Sequence, residues 1–322
     1  MKIKHRTKPL PLQKYDAIIP RLSPNFPKLP EMKEDAGKQG RGHSGELKVD
    51  YHLETLASQY TILDNVYLKN NGKNFQMDTH VIANHGIFIV ESKNYFGTII
   101  FDTILGQLIR DDGQVEAGFE YPITQVENQQ FHLQNWLKRN HLSHVPVYYF
   151  VAIAEPATII KVDGNRETIA ENVAHAARIP KMILEKDRQL AQLGYPNLQD
   201  YKIGKTILRA CGEFDIDIMQ KYGITRRDLL PGVFCPNCGV RGMKRLHGAW
   251  VCRKCRFKSY RAHLKDLFDY LLLNGSISNK ECMWLLGLPS RSTATRILQN
   301  SGLVYLQKYK CWVNKRRGPL ER

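Results

Sequence analysis

Carboxylates are scarce at one end of this 322-residue chain. Residues 231–322 hold 4 Asp/Glu against 18 Lys/Arg, a net +14. Such a segment suits a polyanionic partner, most simply nucleic acid. Long apolar runs are also missing. The longest, around residues 145–154, is too short to span a bilayer, and the N-terminus lacks the apolar centre of a secretory leader. The expectation is a cytoplasmic protein with no membrane partner. A disulfide framework is absent as well. Seven cysteines is an odd number, and four of them fall in two Cys-x-x-Cys units, which points to a reducing compartment and metal binding. No internal repeat and no long low-complexity tract is present, so repeat arrays are excluded.

The length suits two or three domains. The overall charge of +16 is uneven, with +6 in residues 1–44 and −4 in 45–230. Residues 1–40 are basic and proline-rich and read as an extended N-terminal arm, with Ile18, Ile19 and Leu22 available to pack. A helix is expected from near Ser44 to about 58, with Leu47, Tyr51 and Leu56 facing inward. Strands are expected near 60–68, 74–83, 86–93, 97–102 and 106–110. A helix follows from Pro122 to about 140, using Val126, Phe131, Leu133, Trp136 and Leu137 as apolar positions. Residues 145–154 read as a fully buried strand. Residues 176–230 read as a helical extension interrupted at Gly194-Tyr195-Pro196, and Pro231-Gly232 makes a boundary.

Two β-like runs, Phe75–Ala83 and Gly86–Lys93, flank an Asn84-His85-Gly86 turn, which is a hairpin signal. Side chains alternate along a strand, so Glu91 and Lys93 share one face and Ser92 points away. A turn centred between Asn84 and His85 places Asp78 opposite Glu91, with Cβ atoms roughly 4.5–5.5 Å apart. Two carboxylates so placed repel unless a cation lies between them. A hard divalent ion such as Mg²⁺ is the natural occupant. His80, on the Asp78 face, and His85, in the turn, read as packing or surface residues.

The segments Gly42-His43-Ser44-Gly45-Glu46, Gln76-Met77-Asp78, Gly86 to Gly97 (with Glu91-Ser92-Lys93-Asn94-Tyr95-Phe96) and Tyr121-Pro122-Ile123-Thr124-Gln125 lie within about residues 40–130. Together they resemble the nuclease-related domain, or NERD, of the PD-(D/E)XK nuclease superfamily. Met77 stands where the superfamily name has proline, a position that shapes backbone rather than chemistry. The resemblance implies an α/β fold, a restriction-endonuclease-like core whose mixed sheet is flanked by helices, at residues 41–175. It implies Asp78 and Glu91 as ligands of Mg²⁺ or Mn²⁺, with the Ser92 carbonyl adding an oxygen. Glu46 then binds the metal directly or through water, Lys93 orients or activates water, and Gln125 orients water or phosphate.

In the basic tail, Cys235, Cys238, Cys252 and Cys255 have the spacing of two zinc knuckles, separated by 13 residues. Four thiolates make a closed structural Zn²⁺ site, worth on the order of 10 kcal/mol to so short a fold. Residues 231–261 resemble a zinc ribbon. Arg256 stands where the second knuckle usually has glycine, so a looser turn is expected there. Arg241, Lys244, Arg245, Arg253, Lys254, Arg256 and Lys258 are candidate phosphate contacts. Trp250, Phe257 and Tyr260 interleave with them as stacking platforms, the alternative being that Trp250 and Phe257 make only the ribbon's small core. Residues 262–322 look like a winged helix-turn-helix: three helices and a hairpin. In its third helix Ala294, Ile297 and Leu298 face inward, leaving Arg291, Thr295, Arg296 and Gln299 as groove contacts, with Lys308 and Lys310 on the wing. Cys211, Cys282 and Cys311 have no ligand partner at useful spacing. The expected activity is metal-dependent hydrolysis of DNA. The alternatives are an inactive nuclease fold used as a DNA-binding or regulatory scaffold, and a nuclease directed at RNA.

Overall fold

The structure, a computed structural model, describes residues 1–315. The last seven residues of the expected 262–322 module lie outside the described residues. Contacts divide the chain into two units: residues 1–9 with 38–214, and 10–37 with 215 onward.

In chain order the elements begin β1 (Lys2–Lys4), α1 (Leu10–Ile18), α2 (Leu29–Leu53), β2 (Thr61–Asn70), β3 (Lys73–Ile82) and β4 (Ile87–Lys93). Next come β5 (Thr98–Asp102), β6 (Gln107–Asp111), β7 (Glu116–Phe119), α3 (Pro122–Arg139), β8 (Val147–Ile153) and β9 (Ile159–Asp163). Then follow α4 (Arg166–Asn172), β10 (Val173–His175), α5 (Ile179–Gln192), α6 (Asp200–Ala210) and α7 (Ile218–Tyr222). The chain continues with β11 (Lys244–Leu246), β12 (Ala249–Val251), β13 (Lys258–Ser259), α8 (His263–Asn274) and β14 (Ser276–Ile277). It closes with α9 (Asn279–Leu286), α10 (Arg291–Asn300), β15 (Leu303–Leu306) and β16 (Cys311–Asn314).

The first unit is a mixed α/β domain. Its main sheet has the order β1-β2-β3-β4-β8-β10, antiparallel from β2 to β4 and parallel at both ends. Both faces are covered, so Val81–Ile82 of β3 and Ile87–Val90 of β4 are apolar in consecutive positions, as a buried sheet requires. On one face Val81, Phe88 and Val90 pack with Val49 and Leu53 of α2 and Ile179 and Ile183 of α5. On the other, Ile82, Ile87 and Ile89 pack with Leu133, Trp136 and Leu137 of α3 and Ile203 and Ile207 of α6. A second sheet, β7-β6-β5-β9, was not expected as such; it packs through Ile99, Phe101 and Leu108 against Ile123 and Val126 of α3.

The expected extended arm at residues 1–40 is corrected. Residues 2–4 form β1, and α1 and the start of α2 are helical, Leu29 and Met32 being buried in a core with Tyr15 and Ile18. Prolines misled here because Pro30 sits at the second position of α2, where its missing N–H costs nothing. The inward face of α2 is also shifted from expectation. Leu47 and Tyr51 are exposed while Val49 and Leu53 are fully buried, and Leu56 is buried as expected. In α3, Phe131 is exposed at 61% and its other expected apolar positions are buried.

In the second unit the expected three helices and hairpin are present as α8, α9, α10, β15 and β16, with β14 added to make a sheet of order β14-β16-β15. Ser278 caps α9 in a capping box with Glu281, and Ser290 caps α10. Ala294, Ile297 and Leu298 are buried, as is Cys282.

Two glycines of the 42–97 stretch have clear physical reasons. Gly45 lets α2 approach the segment after β4: a Cβ there meets the Asn94 Cβ at 2.5 Å. Gly97 has φ +86, and a Cβ there meets the Asp111 carbonyl oxygen at 2.4 Å. Gly45→Ala is expected to lower stability by about 1–3 kcal/mol through this overlap, measured by urea unfolding. An unchanged midpoint would show that Asn94 yields without cost.

Candidate active site

The β3–β4 register is the one the turn dictates. Thr79 pairs with Val90, His80 with Ile89, Val81 with Phe88 and Ile82 with Ile87, all centred between Asn84 and His85. The backbone ladder ends at Thr79 and Val90, and Asp78 and Glu91 are the next positions out. There a side chain takes over, since the Ser92 N–H donates to Asp78 Oδ2 at 2.9 Å.

Glu91 and Lys93 fall on the Ile87/Ile89 face, under α3. Glu91 is only 4% exposed and is ringed by donors. Lys93 Nζ donates to its Oε1 at 2.8 Å, Gln125 Nε2 to Oε1 at 2.7 Å, and Gln129 Nε2 to Oε2 at 2.9 Å. Lys93 Nζ also donates to Gln125 Oε1 at 2.6 Å. Gln129 was missed in the sequence. It lies one helical turn from Gln125, on the same face of α3, and that i,i+4 spacing was the available signal. Its Nε2 also reaches the Gln76 carbonyl, while its buried Oε1 has no partner.

Burial and then the charges of Glu91 and Glu46 push the Asp78 carboxyl well above the ordinary carboxylate range. Burial works to lower the Lys93 ammonium, but the charge and hydrogen bond of Glu91, with Asp78 behind it, win and raise it. Lys93 is therefore a cation at neutral pH.

Glu46 is held from an unexpected direction. Arg6 Nη1 donates to Glu46 Oε2 at 2.6 Å and to Asn65 Oδ1 at 2.8 Å. Arg6 Nε and Nη2 grip Asp50 at 2.6 and 3.0 Å, and Nη2 also donates to the Asp78 carbonyl and to Thr79 Oγ1. This guanidinium ties the segment after β1 to α2 and to the end of β3. Nothing in the local pattern around Arg6 signals it, because its partners are 40 to 73 residues away.

His80 is fully buried, with Nε2 3.0 Å from Met77 Sδ, and burial holds its pKa down to about 3. The ring is a neutral core residue. His85 packs in the turn against Asp187 at 3.1 Å.

Among the described residues, the four knuckle cysteines form the only group of three or more His, Cys, Asp or Glu whose ligand atoms all lie within 4.8 Å. Glu46, Asp78 and Glu91 are spread more widely. Cys235 and Cys255, and Cys238 and Cys252, have Sγ atoms 3.6 Å apart. The set is consistent with a tetrahedral Zn²⁺ site. Each knuckle makes the same pair of backbone bonds: Gly239 to Cys235 and Cys235 to Val240, then Arg256 to Cys252 and Cys252 to Phe257. Arg256 adopts φ +61, beside +70 at Gly239, and its N–H reaches Cys252 at 3.1 Å against 2.8 Å for Gly239 to Cys235, a slightly looser turn as expected.

The basic candidates separate by exposure. Lys244, Arg253, Lys254, Arg256, Lys258, Arg291, Arg296, Gln299, Lys308 and Lys310 are exposed. Arg241 and Arg245 are half-buried, Arg245 lying over the Trp250 ring at 5.3 Å. Thr295 is engaged within the module, donating to the Arg291 carbonyl and accepting from Asn279. Trp250, 1% exposed, belongs to the core, whereas Phe257 and Tyr260 are exposed at 40% and 65%.

An α/β domain carrying acidic residues and a lysine at the end of a central hairpin defines a class, and comparison with protein families names it. The family model described as nuclease-related domain matches residues 41–154, about a third of the chain. Residues 41–154 thus match a nuclease-related domain, and this match suggests a nuclease-related function. No curated protein and no solved structure matches the chain. Among the described residues no helix is long and apolar enough to cross a membrane.

Two outcomes follow from this geometry. Arg6→Met leaves Glu46 and Asp50 without their shared cation, and is expected to destabilise the domain by about 3–5 kcal/mol in urea titrations. Loss of under 1 kcal/mol would remove Arg6 as the tie. Arg256→Gly relieves a left-handed residue and should stabilise the zinc-loaded protein by about 1 kcal/mol, read as a higher Tm. A lower Tm would mean the Arg256 side chain holds the ribbon by contacts instead.

Proposed function

We propose that the protein is a divalent-metal-dependent nuclease that hydrolyses DNA phosphodiester bonds. In this reading residues 231–261, as a zinc ribbon, and 262–322, as a winged helix-turn-helix, deliver it to DNA. The observation that carries the reading is the convergence of Glu91, Lys93 and Gln125 beside Asp78, at the point where the β3–β4 ladder ends.

The donor set suits Mg²⁺ or Mn²⁺. It is made of hard oxygens, and Asp78 carries the mutual repulsion with Glu91 and Glu46 that a cation relieves. Asp78 and Glu91 would hold the ion, and Glu46, tied back by Arg6, would reach it through water. When bound, such an ion neutralises phosphoryl charge and lowers the pKa of water. The remaining work falls to the chain. Lys93, kept protonated by Glu91, faces developing negative charge. Gln125 fixes the Lys93 ammonium and the Glu91 carboxylate together, and Gln129 holds the second oxygen of Glu91. DNA is favoured over RNA as substrate by the winged-helix element order of the tail, since helices of such modules enter the major groove of B-form duplex.

The test is incubation of the purified protein with Mg²⁺ or Mn²⁺ and single-stranded, duplex and branched DNA, alongside RNA. Cutting of DNA should require the metal and fall by at least about 10²-fold in Asp78→Ala, Glu91→Ala and Lys93→Ala, with DNA binding retained. Equal inertness of wild type and Asp78→Ala on every substrate would overturn the reading.

A further inference from the structure

Basic residues are scattered over the second unit, but one cleft of about 220 Å³ gathers three of them. Arg245 enters from β11, Arg261 from the turn after β13 and Arg296 from α10, with His263, Tyr260 and Asn300 completing the lining. No Asp or Glu lines it, and among the described residues none of the three arginines has an ion-pair partner. Arg245 lies over the Trp250 ring, and its Nη1 is buried with no acceptor. A buried donor without an acceptor is rare and calls for one.

His263 adds to the same bias. Trp250 Nε1 donates to its Nδ1 at 3.0 Å, so Nδ1 is an acceptor and the ring carries its proton on Nε2. Burial and the neighbouring Arg245 keep the ring neutral, with a pKa of about 4. The cleft thus offers three guanidinium forks and no carboxylate, a match for a phosphate group. Tyr260, exposed at 65%, presents a ring face at the rim for a base beside that phosphate.

We propose that this cleft seats a single backbone phosphate of a nucleic-acid strand, shared by Arg245, Arg261 and Arg296, with Tyr260 stacking on the adjacent base. The proposal rests on the reading that the protein acts on nucleic acid, and not on its ability to cut.

The experiment uses the full-length, zinc-loaded protein with no added Mg²⁺ or Mn²⁺ and a fluorescent single-stranded oligonucleotide, over a series of salt concentrations. Arg261 and Arg296 are exposed, so their glutamine variants should fold. Arg296→Gln is expected to weaken binding on the order of tenfold. It should lower the slope of log affinity against log salt by roughly 0.7, the value for one phosphate on a single strand. Adding Arg261→Gln should leave that slope where it was, because the same phosphate is already lost. A second, equal drop would mean separate phosphates and overturn the shared site, as would no change in either variant. Phosphorus NMR with orthophosphate supplies the other arm. Binding of orthophosphate that is lost in the variants, with oligonucleotide affinity unchanged, would make the cleft a free-phosphate site and overturn the assignment to a strand. Cleavage by wild type and Asp78→Ala is read separately, so a failed nuclease reading leaves this result interpretable.

Discussion

The parity of one hairpin governs the first unit. Side chains alternate along a strand, so β4 can sit against β3 in only two senses. In the observed sense Phe88 and Val90 enter the core beneath α2 and α5, Ile87 and Ile89 enter the core beneath α3, and Glu91 and Lys93 continue the second row. The opposite sense would drive a carboxylate and an ammonium beneath α2 and α5, away from their amide partners. Burying charges without partners costs several kcal/mol, far more than any local preference of the turn. Hydrophobic packing thereby fixes the site: the residues that fill the core also decide where Glu91 points.

A second constraint is electrostatic. Residues 45–230 are net negative, and Asp50, Asp64, Asp78 and Glu91 are buried or nearly so. Cations from the first strand segment answer them. Lys2 pairs with Asp64 at 3.0 Å, and Arg6 clasps Asp50 and Glu46. The basic excess of residues 1–44 is therefore partly internal, spent within the fold rather than offered to a partner. The charge of residues 231–322 differs in kind, since most of its lysines and arginines are exposed.

Much of this was legible in the sequence because short-range rules write it there. The hairpin register, the helix from Pro122, the buried strand β8 and the Cys-x-x-Cys knuckles each depend on residues within a few positions of one another. What was missed depends on distance. Arg6 finds its partners across the domain, and β1 and β9 become strands only by pairing with β2 and β5. The helix over residues 29–53 defies its glycines because its ends, at Leu29 and Met32 and at Val49 and Leu53, are buried in cores. Composition predicted an extended arm there, and tertiary burial overrode it. Arg256 is the converse case, a residue poorly suited to its turn that the paired knuckle geometry holds there.

The setting of Glu91 separates shape from grip. Two of its three donors are side-chain amides, which neither titrate nor carry charge, and both come from one rigid turn of α3. Added salt screens exposed arginines and lysines strongly and buried amide bonds hardly at all. Ionic strength should therefore weaken whatever contacts the exposed arginines and lysines make and leave the geometry around Glu91 untouched.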